Sequence, residues 1–511
     1  RADTDDDNPP NPEIEETPPA EDLSSEESIE AIELSELGVC SGTFAEDFGN
    51  WPYTDYPRVV GADCLHDAGV FGEGVTLAVI DTGLWSQSQT TQGVTDMNRV
   101  LAYAEMVEGE ADLQVAAEDL DDAIEEAGEF ESDEDTRDEN GHGTHVTAIA
   151  ASSGTASNGA YQGIAPGVNL VVVEAFDAEG RGSYLSVIRA LDWVLTHQAE
   201  HNIRVVNLSF SSPVRSHYWD DPINQAVMAA WNAGIVVVAS AGNGGPDAMT
   251  IGVPGNNPYI ITVGAMSDAV TPEDLTDDFL ASFSAAGPTY EGFVKPEVVA
   301  PGGHMLALMS SESEIAEEHP EYLGHGNKHF TMSGTSQAAA LVSGIAALVI
   351  SAEPSLTPDD VKCRLMATAR PAKTADGDLA YSVFQQGAGM AHAYDAFRST
   401  ASGCANQGLD IVADLEGREH YAGRARQADD GSFYVEGFAW TDGFAWTDGD
   451  LSTDGFAWTD GFAWTDGFAW TDGFAWTDGF AWTDGFAWTD GFAWTDALVE
   501  SVGINTWVPQ E

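Results

Sequence analysis

Between about Phe71 and Phe397, short runs of β-branched residues alternate with longer segments of helical period. Val75–Ile80, Leu170–Glu174, Ile203–Leu208, Ile235–Val238 and Ile260–Val263 read as strands. Their nearly unbroken apolar character predicts burial on both faces. Ser183–Gln198, Pro222–Ala233, Ser336–Ser351 and Thr357–Thr368 read as helices. Strands joined through helices pair in parallel, because a parallel return needs a long crossover. The expected fold class is therefore α/β: three layers, with a mostly parallel central sheet and helices on both faces. In such a sheet, sites form at the carboxyl ends of the strands.

The 511 residues suggest about three units. Residues 1–40 carry 14 acids, one base and five prolines. That composition predicts a solvated, largely disordered leader. Within it, Ser24 and Glu27 are spaced as a capping box, and Ile29, Ile32 and Leu37 share one helical face. A second acidic stretch, from Glu105 to Glu139, holds 17 acids and one base, Arg137. It is expected to be a solvated surface loop, with cation binding as the alternative. Residues 401–436 read as a linker or a small β segment. Residues 437–496 are ten hexads, nine of them Gly-Phe-Ala-Trp-Thr-Asp, and residues 497–511 form a tail. Phe and Trp two apart share a strand face, and Asp-Gly favours a turn. A six-residue unit cannot bury its aromatics alone. The hexads therefore stay open between a spacer, a β stack and a binding surface for a polymer, a cell surface or another protein.

The charge excludes several functions. There are 85 acids against 18 bases, only four of them lysine, for a net charge of −67. Phosphate backbones and anionic lipid surfaces would repel such a chain, so no nucleic-acid partner is expected. No transmembrane segment is expected either. The longest apolar candidate, 338–352, is interrupted by Ser343 and Gly344 and falls short of a span. The acid excess persists outside the leader, the acidic stretch and the hexads, which together hold half of the acids, and suggests a saline habitat. The cysteines (Cys40, Cys64, Cys363, Cys404) include no Cys-x-x-Cys pair, which disfavours a zinc or thioredoxin-like site. Two disulfides and buried free thiols both remain open. The chain opens on Arg1, so a processed form is expected.

Three segments carry chemistry. Val75–Gly83 is an apolar strand ending on Asp81, an acid that either caps the turn or serves a site. Asn140-Gly-His142-Gly-Thr-His145-Val places a histidine between two glycines at the mouth of an apolar helix. The glycines permit close backbone approach around the ring. His142 and His145 could pair on a metal, but the glutamate of His-Glu-x-x-His is missing, so no metal site is expected and His145 reads as a packing residue. Thr331-Met-Ser-Gly334-Thr-Ser336-Gln-Ala-Ala-Ala leads a serine into a small-residue helix. Ser336 is either an N-cap or a nucleophile at the positive helix end.

Taken in order, these segments offer acid, base and nucleophile as Asp, His, Ser. On them the chain resembles the subtilisin-like serine proteases from about Gly74 to Phe397. Further matching segments are Gly163-Ile-Ala-Pro166-Gly, Val205-Val-Asn207-Leu-Ser209, Gly234 to Asn243, and Val299-Ala-Pro301-Gly302. The resemblance implies a peptidase domain over about 41–400 with the subtilisin-like three-layer fold. It also implies secretion, polypeptide substrates and hydrolysis through an acyl-enzyme. By resemblance, Ser336 attacks the carbonyl, His142 moves the proton and Asp81 holds the imidazole. Asn243 and the Ser336 backbone N–H bind the oxyanion. Ser209, Phe210 and Ser211 pair with substrate, and Ser240, Ala241 and Gly242 line the pocket for the residue before the cleaved bond. No cofactor is needed for the chemistry. The calcium loop of many relatives, here 152–162, has no carboxylate. Three residues depart from the family pattern: Gln337 stands where Met is usual, Ala340 where Pro is, and Ser211 where many relatives have Gly. A rival reading is an idle scaffold that displays the Trp-rich hexads.

Overall fold

The computed structural model describes residues 53–95, 97–107, 136–156, 159–269, 271, 277–374, 377–436, 438–441, 443–446, 501–504 and 507–508. The leader, most of the acidic stretch and all but the first two hexads lie outside them.

The central sheet runs in the order Phe279–Leu280, Ile261–Ser267, Val236–Ser240, Ile203–Leu208, Thr76–Asp81, Asn169–Glu174, Val100–Glu105. Val298–Pro301 also pairs with Ile261–Ser267. All pairings are parallel except that of the short Phe279–Leu280. Every residue of Thr76–Asp81, Val236–Ser240 and Ile261–Ser267 is buried. A strand buried on alternate side chains in both directions must be covered on both faces. Helices His142–Ala151 and Thr335–Ala352 pack on each other and on the sheet; so do Tyr184–Thr196 and Pro222–Asn232. The expected three-layer α/β architecture is present.

Helix starts follow local chemistry. The Ser183 hydroxyl accepts from Ser186 N–H, Asp221 accepts from Asn224 N–H, and Thr357 forms a capping box with Asp360. Such caps contribute about 1 kcal/mol each. Pro222 and Pro358 follow two of them, where a missing N–H costs nothing. Thr335–Ala352 is the one helix among the described residues long and apolar enough to cross a membrane, and it is a core helix, buried from Thr335 to Ile350. Its small residues let a neighbour approach closely. A Cβ on Gly344 would sit 2.7 Å from the Ile164 Cβ and 2.8 Å from the Ala150 carbonyl.

The acidic stretch is shorter than expected at both ends. Glu105 closes a sheet strand, and Thr136–Arg137 pairs with Leu84–Trp85. Asp138, fully buried, is part of the core and not of a solvated loop. Residues 401–436 are docked on the body. They hold the helix Ile411–Leu415 and the hairpin Ala425–Gln427 with Phe433–Val435. Asp414, buried, accepts from Tyr218 Oη at 2.6 Å, from Tyr259 Oη at 2.9 Å and from His420 Nδ1 at 2.7 Å. Cys363 and Cys404 form a disulfide across 41 residues, and no described cysteine is free. Closing such a loop stabilises by about 4 kcal/mol in the chain-entropy account. The first two hexads pair as antiparallel strands, Phe438–Thr441 with Gly443–Trp446.

Two of the four lysines are sealed inside. Glu297 Oε1 accepts from Lys295 Nζ at 2.6 Å and lies 2.9 Å from Lys362 Nζ. Lys295 also donates to the Ile260 carbonyl, and Lys362 to the Pro258 carbonyl and to Asn406. Glu297 Oε2 takes the Thr262 N–H. Each charge is thus compensated, and removing one partner of such a group costs about 3–5 kcal/mol. Arg99, also buried, donates to the carbonyls of Thr90, Pro166 and Gln89, and burial pushes its guanidinium down to about 9. Lys328 and Lys373 are exposed.

Candidate active site

Asp81 ends its strand beside Glu174 of the neighbouring one, at the carboxyl edge of the sheet. The chain turns at Gly83, whose φ of 112° suits glycine. His142 opens its helix behind Gly141, at φ 101°. The two turns meet closely. A Cβ on Gly143 would lie 2.4 Å from the Gly83 carbonyl oxygen, so only glycine allows this approach. The result is a bond of 2.7 Å between His142 Nδ1 and Asp81 Oδ1, with both side chains buried. Asp81 Oδ1 also accepts the Thr82 N–H at 2.9 Å.

Asp138 and Thr82, neither singled out from the sequence, lock the two turns together. Thr82 Oγ donates to Asp138 Oδ1 at 2.8 Å and accepts the Gly143 N–H at 2.8 Å. Asp138 further accepts from Gly141 N, Thr144 N and Thr144 Oγ. These donors favour its charged form, but burial outweighs them and holds its carboxyl above the usual range. The available signal was an acid three residues before Gly141 and six before Thr144, a spacing that serves a helix start.

His145 lies three residues on, fully buried. Its Nε2 donates to the Phe330 carbonyl at 3.0 Å, and the Gln337 amide meets its Nδ1 at 3.4 Å. Burial pushes this imidazole down to about 3. It is a packing residue, as expected. Gln337 turns its amide to this ring from a position where an apolar Met is the usual residue.

Ser336 is the second residue of its helix, where the positive end of the helix dipole lies. Its hydroxyl donates to the Ser209 carbonyl at 2.9 Å. Ser209 Oγ donates to the Ser336 carbonyl at 2.9 Å and is bonded to Asn207, which is held by Ser343 of the same helix. Asn243 accepts through Oδ1 from the Thr335 N–H at 3.0 Å and the Thr335 hydroxyl at 2.8 Å. That fixes the oxygen end of the amide and turns its NH2 end the other way.

The remaining substrate-binding candidates sit in one region. Phe210–Ser211 is a short strand, and the Phe210 side chain is buried. Ser211 Oγ lies over two glycines: a Cβ would come within 3.1 Å of it from Gly242 and 2.1 Å from Gly252. The Ser240 hydroxyl is turned to the Phe210 carbonyl at 3.0 Å, so it ties the strand in place. Ala241 N–H donates to Val263, and Gly242 N–H to the Thr335 hydroxyl.

Glu174, next to Asp81 in the sheet register, accepts a hydrogen bond from the Tyr103 hydroxyl. Burial raises its carboxyl to about 8; the Tyr103 bond opposes this, while the nearby acids Glu105, Asp138 and Glu139 add to it. Among the described residues, no cluster of His, Cys, Asp or Glu is arranged to hold a metal ion.

The model of the Subtilase family matches residues 72–389. The chain is 36% identical over 296 residues to Serine protease AprX of Bacillus subtilis, covering 57% of this chain and 60% of AprX. It is 31% identical over 313 residues to Subtilisin DY of Bacillus licheniformis, covering 61% of this chain and 89% of that protein. A solved structure titled S41 Psychrophilic Protease covers 63% of this chain and 92% of its own at 24% identity, with a TM-score of 0.47.

Proposed function

The chain belongs to the subtilase family, and on that premise we propose that it is a secreted serine endopeptidase working through Asp81, His142 and Ser336. The observation that carries this reading is the buried 2.7 Å bond from His142 Nδ1 to Asp81. It directs the Nδ1 proton to the carboxylate and leaves Nε2 as the basic nitrogen.

An extended polypeptide would pair along Ser209–Ser211 and claim the Ser209 carbonyl. That frees the Ser336 hydroxyl from its resting bond. His142 Nε2 takes the hydroxyl proton as Ser336 Oγ bonds to the scissile carbon. The negative charge then forming on the carbonyl oxygen is met by the Asn243 NH2 and the Ser336 backbone N–H, and each such donor supplies about 2.7–4 kcal/mol. His142 passes its proton to the leaving amine as the C–N bond breaks. Water, deprotonated in turn by His142, then cleaves the acyl-enzyme. Secretion is supported by the Cys363–Cys404 disulfide, which persists in oxidising compartments.

The test is hydrolysis of a denatured protein by the chain and by Ser336→Ala, at low and high salt. Activity that vanishes with the substitution is expected. A folded protein that is inactive at every salt concentration, both as the full chain and as a chain ending at residue 496, would overturn the reading in favour of an idle scaffold that displays the hexads.

A further inference from the structure

Ser501–Ile504, near the end of the sequence, forms the middle strand of a three-stranded sheet between Arg181–Ser183 and Phe210–Ser211. It runs antiparallel to both, pairing Ser501, Val502 and Gly503 with Ser183, Gly182 and Arg181. On its other edge, Gly503 and Ile504 pair with Ser211 and Phe210. The Ile504 N–H donates to the Gly180 carbonyl at 3.0 Å. This is the edge along which an extended substrate is proposed to lie, so the tail stands where substrate would.

Side chains agree with the backbone. Val502 is completely buried. Ile504 lies over Gly180, where a Cβ would come within 3.0 Å of its Cδ1. The same space is bordered by Asn140 Nδ2, two residues before His142. Further on, Trp507 stacks on His319 at 4.0 Å between ring centroids and sits 5.9 Å from Phe330. The Phe330 carbonyl is the one bonded to His145. Ile504 thus shares the space over Gly180 with Asn140, and Trp507 packs on the segment that carries Phe330.

Composition points the same way. Each hexad before the tail ends on Asp, whereas residues 501–510 carry no charged side chain, in a chain with 85 acids. An uncharged, β-branched segment suits a cleft that buries Val502 and pairs backbone on both edges.

We propose that Ser501–Ile504 is an intramolecular, substrate-like occupant of the peptide-binding cleft that holds the enzyme in a closed resting state. The inference rests on the protease reading above for its catalytic consequence. It also identifies the peptide class the cleft takes: uncharged, with β-branched apolar residues at the places held by Val502 and Ile504.

The experiment compares the full chain, the full chain with Val502→Asp, and a chain ending at residue 496. Initial rates are read on a short chromogenic peptide, alongside labelling by a serine-directed fluorophosphonate. The two altered forms are expected to start at least tenfold faster and to label faster. A synthetic peptide of residues 499–511 should inhibit the shortened chain competitively, raising KM and leaving kcat unchanged. Equal rates in all three forms, with no inhibition by the peptide, overturn the proposal and leave the protease reading standing. Absence of hydrolysis and labelling in every form overturns the protease reading. Binding is then decided separately, by fluorescence titration of the labelled 499–511 peptide into the shortened chain carrying Ser336→Ala. Micromolar binding supports the cleft occupant, and no binding overturns it.

Discussion

Ser209 and Ser336 hold each other through two hydrogen bonds of equal length, each hydroxyl donating to the other's carbonyl oxygen at 2.9 Å. The strand on which substrate is proposed to pair and the helix that carries the proposed nucleophile are thereby one mechanical unit. Ser209→Ala keeps the Ser209 carbonyl but removes one bond of the pair and the link to Asn207. The expected loss is about 1 kcal/mol, read as a roughly fivefold lower kcat with KM nearly unchanged. Steady-state kinetics on a peptide substrate check this. A loss as complete as that of Ser336→Ala would place Ser209 in the chemistry itself.

Asn243 is held at its oxygen end by Thr335, through both N–H and hydroxyl. Asn243→Ala should lower kcat by about 100- to 1,000-fold with little change in KM, since the proposed oxyanion donor would act on charge that appears only in the transition state. Thr335→Val keeps the N–H and should cost less. A Thr335→Val defect equal to that of Asn243→Ala would mean that orientation, and not the amide itself, is limiting.

Asp138 accepts four hydrogen bonds from Thr82, Gly141 and Thr144 while fully buried. In Asp138→Asn the new NH2 faces donors, at about 1–3 kcal/mol for each one left unmatched. Thermal melting should show a lower Tm, and activity should fall because the His142 turn loses its anchor. An unchanged Tm would show that the turn is held elsewhere.

Glu174 gives stability a pH dependence of known sign. Its carboxyl is raised to about 8 from an ordinary 4.5, chiefly by burial. The folded state thus binds this proton more tightly than the unfolded one. The contribution is complete below about pH 4.5 and is lost as pH rises through about 8. Glu174→Gln should melt like the parent near pH 4 and above it at pH 9. Parallel melting curves across that range would refute the assignment.

Salt should stabilise the fold. With 85 acids, 18 bases and two of the four lysines sealed in the core, the surface repels itself. Screening shortens the range of that repulsion to about 10 Å at 0.1 M and 3 Å at 1 M. Tm should climb as sodium chloride is raised to molar levels, and a flat response would remove the saline-habitat reading.

The parts legible from sequence were those written in local chemistry. Asp81 follows an unbroken apolar run, and His142 and Ser336 follow glycine turns at helix starts, so short motifs locate each of them. His145 was legible as a packing residue because the glutamate of His-Glu-x-x-His is missing beside it, and the structure seats it on the Phe330 carbonyl. Asp138 was hidden by its company: it is one of 17 acids between Glu105 and Glu139, and composition cannot mark the one that turns inward. Val100–Glu105 was missed because a half-exposed edge strand lacks the continuous apolar signature of the central ones. The place of Ser501–Ile504 depends on pairing with strands about 290 to 320 positions earlier in the chain, a relation no local pattern encodes.

The Lys295–Glu297–Lys362 group has a consequence for handling the protein. With those two amines enclosed, lysine-directed reagents meet just two side chains on the folded surface, Lys328 and Lys373. Lys328 reaches over Trp85 and donates to Gln87, a few residues beyond Asp81. Immobilisation through lysine side chains would thus tether the molecule at one of two points, one of them close to the proposed catalytic face. Lysine-specific digestion of the native form would likewise have two accessible side chains to act on.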